Sequence, residues 1–184
     1  MTEDELSFDQ ICATMKKGAA ALRDADVPFM LGGGLAVWAR GGVESDHDLD
    51  FMVAPEDAER ALQALVDTGM KPERPPEDWL YKAWDGEVLV DVIFKPAGGP
   101  IGRKEFGRAD EIELLAISMP VMALEDVLVN KLLALREHEL DYDALLTLAR
   151  PVREQVNWDD VRLRTWHSPY AKAFFTLLEE LEIL

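Results

Sequence analysis

The spacing of hydrophobic residues along the chain changes repeatedly between helical and strand periodicity. Apolar residues recur every three or four positions where we predict amphipathic helices, and short apolar or alternating runs predict strands. The helices are predicted over residues 8–25, 35–40 and 55–68, and from 122 to the end with breaks at Pro151 and at Ser168 and Pro169. The strands are predicted over 27–31, 44–53, 79–84, 87–94 and 113–118.

Glycine and proline mark the connections between these elements. Gly41 and Gly42 end the second predicted helix, and Asp85 and Gly86 form a strong hairpin signal. Residues 71–78 either break regular structure or cap a strand edge, and 95–107 read as a loop rich in glycine and proline. This order of elements predicts an α+β fold, with helices packed on a mixed sheet. We expect residues 1–118 to carry the sheet and 119–184 to form a helical region.

Composition and charge restrict the class of protein. A chain of 184 residues that is 48% hydrophobic and 30% charged suits a globular protein of one domain, with or without a small appendage. The net charge of −17 argues against nonspecific coating of nucleic acid, because it repels phosphate backbones. No apolar run approaches membrane-spanning length and the N-terminus lacks a signal peptide, so we expect a cytoplasmic protein. Cys12 is the single cysteine, which excludes an internal disulfide and a cysteine-cluster metal site.

The first candidate for chemistry is the acidic strand ESDHDLDFMV at 44–53. Side chains alternate along a strand, so Asp46, Asp48 and Asp50 would share one face. Carboxylates two residues apart lie about 6.5–7 Å from each other at the backbone, close enough for their oxygens to converge on one cation. Mg²⁺ prefers such oxygens together with water and phosphate. The alternative is that these acids are simply solvated.

A second candidate is Asp91, the one carboxylate inside the apolar segment VLVDVIF at 88–94. Burying an unpaired acid costs several kcal/mol (~3–5) unless it is neutralised or coordinated. Asp91 could therefore complete a metal site with Asp48 and Asp50, or it could bond a backbone NH or a basic residue at a strand end. Taken alone, it leaves both interpretations open.

Two further features could bind phosphate. Gly32, Gly33 and Gly34 join a strand to a helix, where backbone NH groups can approach an anion closely, although many such turns need glycine for conformation alone. Lys131 stands in an apolar helical stripe, where a lysine either reaches solvent or points at an anion. Asp141 and Asp143 could reach the same cleft or cap a helix. Four aromatic residues could stack a base or frame an acceptor, or belong to the core: Trp38, Trp79, Tyr81 and Trp84.

In combination, the paired glycines after a strand, DLDFMV at 48–53 and the later Asp91 resemble the polymerase-β-like nucleotidyltransferase superfamily. The likeness is to its small bacterial members, among them the aminoglycoside- and lincosamide-modifying enzymes and the toxin-type nucleotidyltransferases of abortive-infection systems. KLLALREHELDYDALL at 131–146 is similar to the Lys-x-x-Ala segment and following acids of the toxin-type members. The motifs extend from about residue 27 to 146.

The resemblance implies the fold of these enzymes over residues 1–118 and roles for particular residues. Asp48, Asp50 and Asp91 would hold Mg²⁺, and Asp91 would in addition activate an acceptor hydroxyl. Gly33, Gly34 and Lys131 would contact the phosphates of an NTP, which we expect to be ATP. Many relatives carry Ser or Thr after the paired glycines or two residues before the first metal aspartate, where this chain has Leu35 and Asp46. The role of Asp46 therefore stays open.

The implied reaction is transfer of a nucleoside monophosphate to a hydroxyl acceptor, with release of pyrophosphate. The acceptor could be a small molecule, a protein or RNA, and the acidity of the chain favours a cationic or neutral acceptor only weakly. The alternative is a non-catalytic nucleotide-binding module, or a partner of the toxin–antitoxin type, that retains the fold. The sequence leaves the oligomeric state open, a homo-oligomer included.

Overall fold

Seven strands form one mixed sheet in the computed structural model, which describes residues 7–44 and 48–184. The strands are β1 (Phe29–Leu31), β2 (Leu49–Val53), β3 (Lys71–Glu73), β4 (Leu80–Asp85), β5 (Val88–Ile93), β6 (Asp110–Leu114) and β7 (Ile117–Val121). Their order across the sheet is β3-β4-β5-β2-β1-β7-β6. The pairs β2–β5 and β1–β7 are parallel, and the other neighbours are antiparallel.

Helices cover the sheet. They are α1 (Phe8–Asp24), α2 (Gly33–Trp38), α3 (Ala58–Asp67), α4 (Arg103–Phe106), α5 (Leu124–Ala134), α6 (Tyr142–Val152), α7 (Trp158–Thr165) and α8 (Pro169–Glu180), with short 3-10 turns at Pro55–Asp57 and Arg153–Gln155. α1 packs against the face that carries Phe51, since Gly18 lies against its ring, and α3 packs beside α1, where Leu65 also approaches Gly18. Asp50, Met52 and Ile93 face a cavity that residues of α5 also line. The predicted α+β class is confirmed.

Most of the predicted elements form close to their predicted bounds. α1 begins after Ser7, whose hydroxyl accepts a hydrogen bond from the Gln10 backbone NH while Gln10 Oε1 accepts one from the Ser7 backbone NH, a capping box. The helix buries an apolar stripe that includes Ile11, Met15 and Leu22. These local signals explain why the sequence predicts this helix well.

One predicted strand, 113–118, is wrong. The segment contains the turn of a hairpin in which β6 pairs with β7, and Leu115 and Ala116 occupy that turn with φ of +51° and +67°. Such a turn normally carries glycine or asparagine, so the sequence shows no turn signal here. β7 then pairs in parallel with β1 at Leu31 and Val121, which extends the sheet beyond the acidic strand.

Four smaller differences follow from local geometry. α2 begins at Gly33 rather than at residue 35, and residues 71–73 form an edge strand, the second of the two alternatives for that segment. The loop 95–107 contains α4. Pro151 does not break the helix, because it lies one residue before the end of α6.

The predicted boundary between residues 118 and 119 falls inside β7, which belongs to the sheet. A single cluster of buried apolar residues includes side chains from the sheet and from α5, α6, α7 and α8. The separate helical region stays a prediction, and a boundary consistent with the sheet would follow Val121. No helix within residues 7–44 and 48–184 is long and apolar enough to cross a membrane.

Candidate active site

A row of charged residues crosses four neighbouring strands. Asp50 on β2 is the register partner of Asp91 on β5, and Asp91 is in turn the partner of Lys82 on β4. Lys82 is then the partner of Glu73 on β3. Partnered residues of adjacent strands project to the same face, so the register alone brings the two aspartates together with one lysine beside them.

Asp91 is buried without full compensation. The residue is 8% exposed, and its buried Oδ1 atom has no hydrogen-bond partner among the described residues. Lys82 Nζ lies 3.4 Å from that oxygen, which is an ion-pair distance without hydrogen-bond geometry. Burial raises the pKa of Asp91, and the charge of Lys82 opposes this rise. Among the described residues, the Asp91 carboxylate is therefore only partly compensated by protein groups.

Asp50 is partly buried beside Asp91. Burial first, and then the negative charge of Asp91, raise the pKa of Asp50 from 3.8 to about 7, while Lys131 lowers it. Asp48 precedes β2 and is exposed. The two inner carboxylates repel each other, and this is the electrostatic setting that a divalent cation relieves.

Gly33 lies directly against Asp50. Its φ is +54°, and a Cβ atom at this position would overlap Asp50 Oδ2. The backbone NH of Gly32 also donates to the Asp50 carbonyl oxygen at 2.9 Å. Glycine is thus required at position 33 both for the backbone conformation and for the space that the carboxylate occupies.

Two cavities meet at Lys131. The first, about 620 Å³, is lined by Gly33 and Asp50, by the cationic side chains of Lys95, Lys131 and Arg136, and by Trp79. The second, about 650 Å³, includes Gly34 and Lys131 together with four acidic residues: Glu44, Glu139, Asp141 and Asp143. The first cavity therefore mixes three acidic residues, Asp50, Asp78 and Glu139, with three cations suited to phosphate, whereas the second is mainly acidic.

The residues present fit a magnesium ion. Within the described part of the chain, no group of three His, Cys, Asp or Glu side chains is assembled as a complete metal site. Mg²⁺ does not need such a group, because it is commonly held by one or two carboxylates together with substrate phosphates and water. Asp50 and Asp91 supply two hard oxygen donors, one of them with a buried oxygen that no protein donor satisfies.

Comparison with known proteins adds to this geometry. A family model described as aminoglycoside-2''-adenylyltransferase matches residues 15–84, a segment that contains the glycine turn, Asp48 and Asp50 but ends before Asp91. The crystal structure of ANT(2'')-Ia in complex with adenylyl-2''-tobramycin superposes with a TM-score of 0.64 at 16% identity, over 91% of this chain and 98% of that chain. The chain has the nucleotidyltransferase fold. The lincomycin-bound structure of the lincosamide antibiotic adenylyltransferase LnuA also matches, with a TM-score of 0.53 at 14% identity, over 74% of this chain and 92% of that chain.

No curated protein sequence matches the chain at a significant level. The family model and the fold together indicate a nucleotidyltransferase, and the predicted resemblance to small bacterial members of this class is confirmed.

The structure of this nucleotidyltransferase brings most of the sequence candidates to one region. Gly33, Asp50 and Lys131 line the first cavity, and Gly34 lines the second. Asp91 adjoins Asp50 through the β2–β5 register. Asp46 lies outside the described residues, so its role is not addressed.

Asp141 and Asp143 line the second cavity rather than the cavity of Asp50. Asp141 also caps α6, since its Oδ1 accepts a hydrogen bond from the Ala144 backbone at 2.9 Å.

Of the four aromatic candidates, Trp79 lines the first cavity, at 39% exposure. Trp38 packs edge-on against Phe8, and the Trp84 indole donates to Glu73 at 2.9 Å. Tyr81 packs against the ring of Phe94.

Sequence reasoning missed Lys82, Lys95 and Arg136 in this nucleotidyltransferase. Lys82 could have been found from the hairpin, but only with the correct register. A turn at Asp85 and Gly86 would pair residue 84 with 87, whereas the structure pairs Asp85 with Val88 and thereby brings Lys82 opposite Asp91. Lys95 and Arg136 lie in irregular segments, where spacing gives no signal.

Proposed function

We propose that the protein transfers a nucleoside monophosphate from an NTP, with ATP as the expected donor, to a hydroxyl acceptor in a Mg²⁺-dependent reaction that releases pyrophosphate. The observation that carries this proposal is the register pair Asp50 and Asp91 beside Gly33, with the buried Asp91 Oδ1 atom lacking a hydrogen-bond partner. A protein that binds no cation would have no need to retain a buried, incompletely compensated carboxylate at this position.

Asp50 and Asp91 would hold Mg²⁺, with Asp48 as a third and more exposed ligand. When bound, Mg²⁺ would neutralise charge on the α-phosphate and on the leaving pyrophosphate. Gly33 and Gly34 would offer backbone NH groups to the phosphates, while the Asp50 carboxylate occupies the space that a side chain of residue 33 would take. Lys131 lies between the two cavities, where its ammonium group can stabilise negative charge on the triphosphate.

The chemical step forms a bond between the acceptor oxygen and the α-phosphorus. It breaks the bond between that phosphorus and the oxygen that bridges to the β-phosphate, and the pyrophosphate leaves with the electron pair. Asp91 would accept the proton of the acceptor hydroxyl, a role that a carboxylate within hydrogen-bond reach of the acceptor can fill. Most of the catalytic effect then comes from positioning and electrostatics.

The acidic cavity supports a cationic acceptor. Glu44, Glu139, Asp141 and Asp143 line it, against the single cation of Lys131. Like charges would repel a polyanionic acceptor such as RNA and attract an amine-bearing small molecule. The two structural relatives named above bear adenylylated tobramycin in one case and lincomycin in the other, which supports a small-molecule acceptor here. A cytoplasmic location would supply both ATP and Mg²⁺.

Calorimetric titration of ATP with and without Mg²⁺ tests the site assignment. The parent should bind ATP more tightly with Mg²⁺, and Asp50→Asn and Asp91→Asn should lose that gain. Asp110→Asn is the matched control, because it removes the same charge at a side chain that is 68% exposed at the sheet edge. Unchanged Mg²⁺-dependent binding in both site variants would contradict the assignment.

Turnover needs a separate assay. ATP labelled at the α-phosphate should transfer its label to an amine-bearing hydroxyl compound in the presence of the parent protein and Mg²⁺. Charge-reducing substitutions in the acidic cavity, such as Asp143→Asn, should raise the KM for a cationic acceptor and leave that for ATP unchanged. Mg²⁺-dependent ATP binding without transfer to any acceptor, in a screen that includes protein and RNA, would favour the non-catalytic module.

A further inference from the structure

Lys82 is positioned to neutralise one of the two inner carboxylates. It is the register partner of Asp91, its ammonium group lies 3.4 Å from Asp91 Oδ1, and its side chain is only 25% exposed. On its other side β5 pairs with β2, so that Asp50 lies next to Asp91. The four-strand row therefore runs negative, positive, negative, negative from Glu73 to Asp50.

The contact between Lys82 and Asp91 is incomplete as a salt bridge. The distance is that of an ion pair, but Asp91 Oδ1 lacks a hydrogen-bond partner in the described structure. A lysine on a flexible four-carbon chain can hold this position loosely and withdraw without a change in the backbone. A salt bridge built for stability alone would be expected to satisfy the buried oxygen.

We propose that Lys82 is the internal counter-ion of the Asp50–Asp91 pair, a positioning residue whose ammonium group lies at Asp91 Oδ1 when no divalent cation is bound and competes with that cation for the same oxygen. This role rests on the proposed function of the two aspartates as cation ligands. The charge of the side chain at position 82 would then set the affinity of the two aspartates for a divalent cation. A cation at position 82 weakens divalent binding and stabilises the metal-free protein, and a neutral side chain there does the reverse.

Lys82→Met is the direct test, because it keeps the length of the side chain and removes its charge. Lys71→Met is the matched control, since it lowers the net charge equally from an exposed position on the neighbouring strand β3. Lys82→Arg should behave as the parent does, because it retains the charge. The probe is Mn²⁺ alone, titrated at pH 8.5 and low ionic strength and followed by electron paramagnetic resonance.

Lys82→Met should bind Mn²⁺ about tenfold more tightly than the parent. The repulsion between one unit charge and a nearby divalent ion lowers the binding constant by about that factor, even at the dielectric constant of water. The melting temperature of metal-free Lys82→Met should fall below that of Lys71→Met, and saturating Mn²⁺ should close the gap. Equal Mn²⁺ affinity in Lys82→Met and Lys71→Met, or weaker binding in Lys82→Met alone, would overturn the role of Lys82.

Failure of the underlying site has a different signature. If the parent and Lys82→Met both bind no Mn²⁺, or if Asp91→Asn binds as the parent does, the aspartates are not cation ligands and the counter-ion role falls with them. If Asp91→Asn loses binding while Lys82→Met and Lys71→Met are equal, the metal site stands and only the role of Lys82 is refuted.

Discussion

Replacement of Gly33 by alanine is the sharpest single test of how the site is built. Gly33 has a φ of +54°, and an added Cβ would overlap the Asp50 carboxylate, with Cγ at 2.8 Å. The left-handed backbone conformation costs a residue other than glycine about 1–2 kcal/mol, and forcing an atom into an occupied space costs about 1–3 kcal/mol more. We therefore expect Gly33→Ala to lower the free energy of unfolding by about 2–5 kcal/mol.

Gly86→Ala separates these two contributions. Gly86 has a similar φ of +63°, and nothing lies within 4 Å of the position of its Cβ. Gly86→Ala should therefore lower the free energy of unfolding only by the cost of the left-handed backbone conformation, about 1–2 kcal/mol. The difference between the two variants measures the overlap with Asp50.

A double-mutant cycle assigns the overlap to the carboxylate. In an Asp50→Ala background only the Cβ atom of residue 50 remains, at 3.3 Å, so Gly33→Ala should cost little more than Gly86→Ala. Urea unfolding gives the free energies, and Mn²⁺ titration should show a loss of about 10- to 100-fold for Gly33→Ala, because a ligand has been displaced. Equal destabilisation by Gly33→Ala and Gly86→Ala, with metal affinity retained, would refute the reasoning.

Three further predictions concern other parts of the molecule. Asp126→Asn should lower the free energy of unfolding by about 3 kcal/mol in urea, because its buried carboxylate accepts hydrogen bonds from two arginines, whereas Asp110→Asn at the surface should change it by at most about 1 kcal/mol. Ala116→Gly should raise the melting temperature, because Ala116 has a φ of +67° in the β6–β7 turn; an unchanged or lower value would contradict a strained turn. The pKa of Asp50 is about 7 when folded against 3.8 ordinarily, so the folded state binds more protons between these values and metal-free stability should fall as pH rises through them. Asp50→Asn should flatten that profile, and an equally steep profile would count against the raised pKa.

The elements with local signals could be predicted from the sequence. The capping box and apolar stripe specify α1, and the alternation of acidic and apolar residues indicates the acidic strand, although β2 begins at Leu49 and not at residue 44. The β6–β7 hairpin could not be predicted, because Leu115 and Ala116 adopt positive φ angles that their side chains do not favour. Contacts made elsewhere in the fold impose that turn.

In the candidate site, too, the sequence predicts some features and the strand pairing decides others. Residue type and local pattern made Asp50, Asp91 and Gly33 candidates, although each taken alone left a structural alternative open. Only the strand register decided that Asp91 lies between Asp50 and Lys82. A shift of the hairpin turn by one residue would have placed a different side chain opposite Asp91.

The sequence by itself determined which residues can do chemistry, because charge, size and backbone freedom are properties of single residues and their near neighbours. The tertiary structure decided which of them act together. Pairing between distant strands brought Lys82 to the aspartates, and the packing of α5 against α2 placed Lys131 where two cavities meet. These arrangements depend on long-range contacts, and no local pattern in the chain encodes their geometry.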